Sequence, residues 1–156
     1  MKDIIELLTK YNKTISTMES CTGGAVVNAI TNVEGASKAL KYSAVTYCNE
    51  YKIKMGVSKD VIDKYTVYSM ETAREMSKCI SNFTNSNYGV GITGQINRAD
   101  LDNITSEFDK IYISIYDKDE DKYYDKKITA INGTRENNKN MIINEVVNLL
   151  KEIIKG

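Results

Sequence analysis

Two periodicities run along this chain, and the switches between them divide it into elements. Residues 3–11 set Ile4, Ile5, Leu7, Leu8 and Tyr11 on one helical face. "TISTM" (14–18) has the β-branched make-up of a short buried strand, and "GGAVVNAITNV" (23–33) reads as a helix starting at its glycine pair. "KYSAVTYC" (41–48) predicts a strand, "NEYKIKMGV" (49–57) a short helix ending near Gly56, and "SKDVIDKY" (58–65) a helix capped by Ser58. After a second cap at Ser69, "SMETAREMSKCISNF" puts Met70, Ala73, Met76, Ile80 and Phe83 on one stripe. "YGVGITG" (88–94) is an apolar strand punctuated by glycine. "KIYISIYD" (110–117) and "KYYDKKITAI" (122–131) are strands joined by the acidic turn "DKDED", which makes a hairpin. A final helix runs from Thr134 to Ile154, with Met141, Ile142, Val146, Leu149, Leu150 and Ile153 at helical spacing.

Alternating helices and strands with a late hairpin predict an α/β fold. The expected form is a three-layer α/β/α sandwich whose sheet is mainly parallel with an antiparallel portion. A chain of 156 residues fits one domain, residues 1–156. The polar stretch "QINRADLDNITSEFD" (95–109) is the longest connection outside the pattern.

Composition narrows the function classes. Lysine plus arginine and aspartate plus glutamate both number 21, so a broad nucleic-acid surface has no support. No apolar run reaches membrane-spanning length, and the acid-bearing N-terminus is unlike a signal peptide. Cys21, Cys48 and Cys79 are odd in number and widely spaced, which suits a reduced, cytoplasmic protein. With no histidine and no CxxC pair, no metal site is expected.

The same lack of histidine sharpens the most suggestive stretch, "ESCTGG" (19–24). It sits at a strand-to-helix turn, where α/β sheets place ligands and where free backbone N–H groups meet a phosphate or an oxyanion. Ser20 and Cys21 are adjacent candidate nucleophiles, and imidazole is not available to activate either. A lysine kept neutral by burial would serve Ser20; Lys52 with Tyr47, in "VTYCNEYKIKMGV" (45–57), falls at the same sheet edge, and Lys41 and Lys54 are neighbouring alternatives. A thiol at Cys21, aided by Glu19 or Glu50 with Lys52, is the competing arrangement. Read without function, Thr22 is a helix cap, the glycines permit a turn and Cys21 is packing.

"ESCTGG" followed by "YCNEYKIKMGV" (47–57), "TVYSMETA" (66–73) and "GITG" (91–94), in that order, resembles the C-terminal domain family of the competence/damage-inducible protein CinA. Stand-alone members of that family are nicotinamide-nucleotide amidases. The resemblance implies hydrolysis of the nicotinamide mononucleotide carboxamide to nicotinate mononucleotide and ammonia, without a cofactor. It implies Ser20 as nucleophile, Lys52 as general base and Tyr47 as the group that positions the pair or shuttles the proton. Cys21, Thr22, Gly23 and Gly24 would bear on the oxyanion, Thr93 and Gly94 would line the pocket, and Arg135 would contact the phosphate. A nucleotide as partner and a homo-oligomer are implied too. The segment 95–109 departs from the family's Gly- and Pro-rich loop, which supports a second reading: a nucleotide-binding or assembly module without turnover.

Overall fold

The computed structural model describes residues 1–98 and 107–154. Five strands form one sheet: β1 (Ile15–Glu19), β2 (Leu40–Val45), β3 (Tyr88–Gly94), β4 (Lys110–Asp117) and β5 (Lys122–Thr129), in the order β2-β1-β3-β4-β5. β1 pairs in parallel with both β2 and β3, whereas β3–β4 and β4–β5 are antiparallel. Only β4 therefore runs against the rest. The expected mixture of a parallel body and an antiparallel hairpin is present, with β1 at the centre of the parallel part.

Helices cover both faces. On one face α1 (Lys2–Lys10), α2 (Ala25–Thr31) and α6 (Arg135–Ile153) share a core with the sheet, built from residues such as Ile4, Leu8, Val26, Ile30, Val90, Ile92, Ile113, Ile142 and Val146. On the other face α4 (Lys59–Tyr65) and α5 (Met70–Thr84) enclose a smaller cluster of Met18, Val57, Ile62, Val67, Met76 and Ile80. The short α3 (Asn49–Lys54) leads into this second layer. The caps expected at Ser58 and Ser69 form: each hydroxyl accepts a backbone N–H from the first turn, of Val61 and Thr72 respectively.

β3 shows why its glycines are there. A Cβ at Gly89 would lie 2.0 Å from the Ser77 carbonyl oxygen, and one at Gly91 would lie 2.2 Å from that of Ala73. The backbone of α5 rests directly on the strand, and any side chain would lever the helix away. Val90 and Ile92, between them, fill the opposite core.

Two local expectations are corrected. The second helix begins at Ala25 and not at the glycine pair, because Gly23 and Gly24 have φ of +61° and +92° and form a left-handed turn before it. Phe83 does not join the buried stripe of α5. It is 66% exposed, because the last turn of the helix overlies the edge strand β2, where its ring leans on the half-exposed Tyr42 at 5.7 Å between centroids.

Candidate active site

The site is built by strand alternation at the carboxyl end of β1. Ser16 bonds Thr84 of α5, and Met18 packs in the α5-side cluster, so even positions of β1 face α5. Ser20 follows on that side, while Glu19 turns to the other, toward α2.

Glu19 is fully buried and its carboxylate is saturated. Oε2 accepts from Thr22 Oγ1 at 2.6 Å and from the N–H groups of Gly24 and Val26, both at 3.1 Å. Oε1 accepts from the Val27 N–H at 2.8 Å and, at 3.5 Å, from Thr17 Oγ1. The acid thus sits on the positive end of α2 and takes up the free N–H groups there. Two expectations change as a result. The hydroxyl of Thr22 and the N–H of Gly24 are spent on Glu19 and are not directed at a ligand. The N–H of Gly23 closes the turn on the Ser20 carbonyl at 3.0 Å. The backbone N–H groups of Cys21 and Thr22 have no acceptor among the described residues and remain as the donors next to Ser20.

On the other side of the loop, Lys52 reaches Ser20. Its Nζ lies 3.0 Å from Ser20 Oγ and 2.6 Å from the Thr46 carbonyl oxygen. The Thr46 N–H donates in turn to the Glu19 carbonyl at 2.8 Å, which ties this strand end to β1. Lys52 is 2% exposed and has no carboxylate within ion-pair distance among the described residues. Burial lowers its pKa from the ordinary lysine value to about 8, with the Cys21 and Cys48 thiols pulling weakly the other way. Lys54, the alternative base, is instead a surface residue paired with Glu50 at 2.5 Å.

The two adjacent candidate nucleophiles sit in different environments. Cys21 is packed in the α2-side core, and burial raises its thiol to about 12, outweighing the cations Lys52 and Arg135. It stays a protonated packing group beside a serine that touches an amine. Cys48 is exposed at the start of α3.

The remaining predicted residues are dispersed around this pair. Tyr47 follows Thr46 at the end of β2 but is 66% exposed, and its hydroxyl makes no hydrogen bond to Ser20 or Lys52. The Thr93 hydroxyl is turned into the fold, donating to the Val67 carbonyl at 2.7 Å. Gly94 allows β4 to come close, since a Cβ there would be 2.6 Å from the Lys110 carbonyl oxygen. Arg135 opens α6 and donates through Nη1 to the Ile96 carbonyl at 2.6 Å.

A second cation on α6 escaped the sequence reading. The ammonium of Lys139 lies 3.4 Å from where a Cβ on Gly23 would be, so it overhangs the serine loop and makes no ion pair with the described residues. The signal was available: Lys139 is four residues after Arg135 and so on the same helical face. Asn138, fully buried between them, fixes this end of α6 by bonding both backbone groups of Ile131 and the side chain of Asn97. Of the departing segment 95–109, residues 99–106 lie outside the described residues.

Comparison with known proteins agrees with this architecture. The family model of the CinA C-terminal domain matches residues 1–154. A relative from Clostridium kluyveri, named for competence-damage induction, is 38% identical over 124 residues, which is 78% of this chain and 30% of the relative. A CinA-like protein of Kosmotoga olearia is 44% identical over 92 residues, 58% of this chain and 22% of its own. The chain thus spans less than a third of the length of these curated relatives. Among solved structures, a competence-damaged protein (CinA) superfamily protein from Escherichia coli superposes with a TM-score of 0.88 at 20% identity, over 97% of this chain and 87% of that one. The competence/damage inducible protein of Agrobacterium tumefaciens gives 0.81 at 23%, over 97% and 94%. No helix among the described residues is long and apolar enough to cross a membrane. With the family model covering nearly every residue and these structures sharing the fold, the chain belongs to the CinA C-terminal domain family.

Proposed function

We propose that the protein is an amidase that deamidates nicotinamide mononucleotide to nicotinate mononucleotide, with Ser20 as nucleophile and Lys52 as general base. The observation that carries this reading is the 3.0 Å approach to a serine hydroxyl of a buried lysine that pairs with no acid among the described residues. With a pKa of about 8, roughly a tenth of Lys52 is neutral at pH 7 and half at pH 8. The neutral amine keeps an N–H on the Thr46 carbonyl, which leaves its lone pair for the Ser20 proton.

In the reaction, Ser20 Oγ adds to the carboxamide carbon as Lys52 takes its proton. The oxyanion that forms is met by the N–H groups of Cys21 and Thr22. Lys52 then returns the proton to the departing nitrogen, ammonia leaves and an ester remains on Ser20. Water activated by the same amine hydrolyses that ester and frees the carboxylate. Arg135 and Lys139, both on the face of α6 that looks onto the loop, supply positive charge for the phosphate of the substrate. Tyr47 takes no part in proton transfer in this scheme; it is a residue of the rim.

The test is ammonia release from nicotinamide mononucleotide by the purified chain beside a Ser20→Ala variant. Release above that control is the expected outcome. Saturable binding of the nucleotide with no release from either protein would instead support the binding-module reading drawn from the segment 95–109, and it would end the amidase proposal.

A further inference from the structure

Gln95, just past β3, carries a buried side-chain amide whose oxygen is unspent among the described residues. It is 5% exposed, and Oε1 has no hydrogen-bond partner among the described residues. A buried acceptor left without a donor costs stability, and such groups are uncommon in folded proteins. The backbone around it is firmly held. The Gln95 N–H donates to the Lys110 carbonyl at 3.0 Å, Arg135 holds the Ile96 carbonyl, and Asn97 is tied to Asp109, Asn138 and the Gly133 carbonyl. The unmet acceptor therefore lies on a fixed frame.

Its placement follows from alternation. A Cβ on Gly94 would meet Ile111 of the α6-side core, and Ile96 belongs to that same core. Gln95, between them, falls on the opposite side with Thr93, which reaches Val67 in the α5-side layer. Ser20 and Lys52 share that side. β1 and β3 are adjacent and parallel, with Met18 opposite Gly91, so their continuation sets Ser20 level with Thr93. By this register Gln95 lies one strand over from Ser20 and about 7 Å further along the sheet.

We infer that Gln95 is a specificity-determining residue whose Oε1 accepts an N–H of the substrate's primary carboxamide. This inference rests on the amidase reading above. The oxyanion donors of Cys21 and Thr22 hold the carbonyl oxygen, so the NH₂ group needs an acceptor on another side, and Gln95 offers one. A carboxylate product has no N–H to give and would face a carbonyl oxygen instead, which favours its departure. An ester, also lacking N–H donors, gains nothing from Gln95.

The experiment compares wild type with Gln95→Met, similar in volume and without the amide, on two substrates: nicotinamide mononucleotide and the methyl ester of nicotinate mononucleotide. The expected result is a loss of about tenfold or more in kcat/KM on the carboxamide, with less than threefold change on the ester. The free variant is also expected to melt about 2–4 °C higher, since it no longer buries an unmet acceptor. Equal losses on both substrates, an unaffected carboxamide rate, or a lower melting temperature would overturn the inference while leaving the amidase reading intact. If wild type cleaves neither substrate, the amidase reading falls and this inference falls with it.

Discussion

Glu19 and Lys52 are both buried ionisable side chains at the edge of the same loop, and they are treated in opposite ways. Glu19 faces α2 and is met by three backbone N–H groups and two hydroxyls. Lys52 faces the α5-side layer and is met by one carbonyl and one serine, with no acid among the described residues. The first arrangement satisfies a charge and thereby fixes a turn. The second leaves an amine without an acid among the described residues, the arrangement that the proposed base requires. What sets the proposed base apart from the structural acid is what its surroundings leave undone, since burial alone does not distinguish the two.

The sharpest way to break this contrast is to delete each side chain and read stability and turnover separately. Lys52→Met should lower ammonia release by about 10³-fold, the scale of a lost general base. It should also stabilise the fold. The folded pKa of Lys52, about 8, lies below its unfolded value of 10.5, so between those values the unfolded chain binds more protons and wild-type stability rises with pH. Below about pH 8 the full penalty of the buried ammonium is present, up to about 3 kcal/mol, and Lys52→Met removes it. The gain should shrink as pH climbs toward 10. Glu19→Ala should do the reverse, destabilising by about 3 kcal/mol or more because it orphans several buried donors. Urea denaturation at pH 7 and pH 10 checks both signs. A Lys52→Met protein less stable than wild type at pH 7 would mean that the amine is structural, and the contrast would collapse.

A smaller effect is expected at the cations that border the loop from α6. Lys139→Ala should raise KM for nicotinamide mononucleotide by about tenfold, the worth of one charge-assisted hydrogen bond, with kcat little changed. The corresponding nucleoside, which lacks the phosphate, should show less than a twofold change. Steady-state kinetics on the two substrates provides the check. Similar losses on both would show that Lys139 supports the geometry of Gly23 and does not recognise charge.

How far this loop could be read beforehand depended on the range of the interactions involved. The elements were legible because their signals are local: the helical stripe of Ile142, Val146 and Leu150 and the caps at Ser58 and Ser69 need only a few residues of context. The Ser20–Lys52 pair was reachable too, since the lack of histidine left lysine as the usable base and strand ends gather at one edge. The burial of Glu19 by its own loop was not. Nothing in "ESCTGG" says which of two adjacent polar residues turns inward until the parity of β1 is known, and that parity is fixed by packing against α5. The partner of Thr93 was hidden for the same reason: its hydroxyl donates to the carbonyl of Val67, 26 residues away. Tyr47 shows the limit of reasoning by spacing, because one residue's difference at a strand end separates the buried Thr46 from an exposed ring.

The smallest effect is expected at Tyr47, and it carries its own argument. If the tyrosine relayed the serine proton, Tyr47→Phe would break the chain between nucleophile and base and cost at least about a hundredfold, as removal of an acid–base participant does. The hydroxyl, however, has no hydrogen bond to either group, and the direct contact from Ser20 to Lys52 leaves no gap for a relay to bridge. Tyr47→Phe should therefore keep kcat within about threefold, while Tyr47→Ala, which removes the ring from the rim, should mainly raise KM. A loss of kcat in the phenylalanine variant would show that the ring swings inward when the nucleotide binds. The loop would then complete its proton path only with substrate present, and the contrast between a finished Glu19 and an unfinished Lys52 would extend to a third residue.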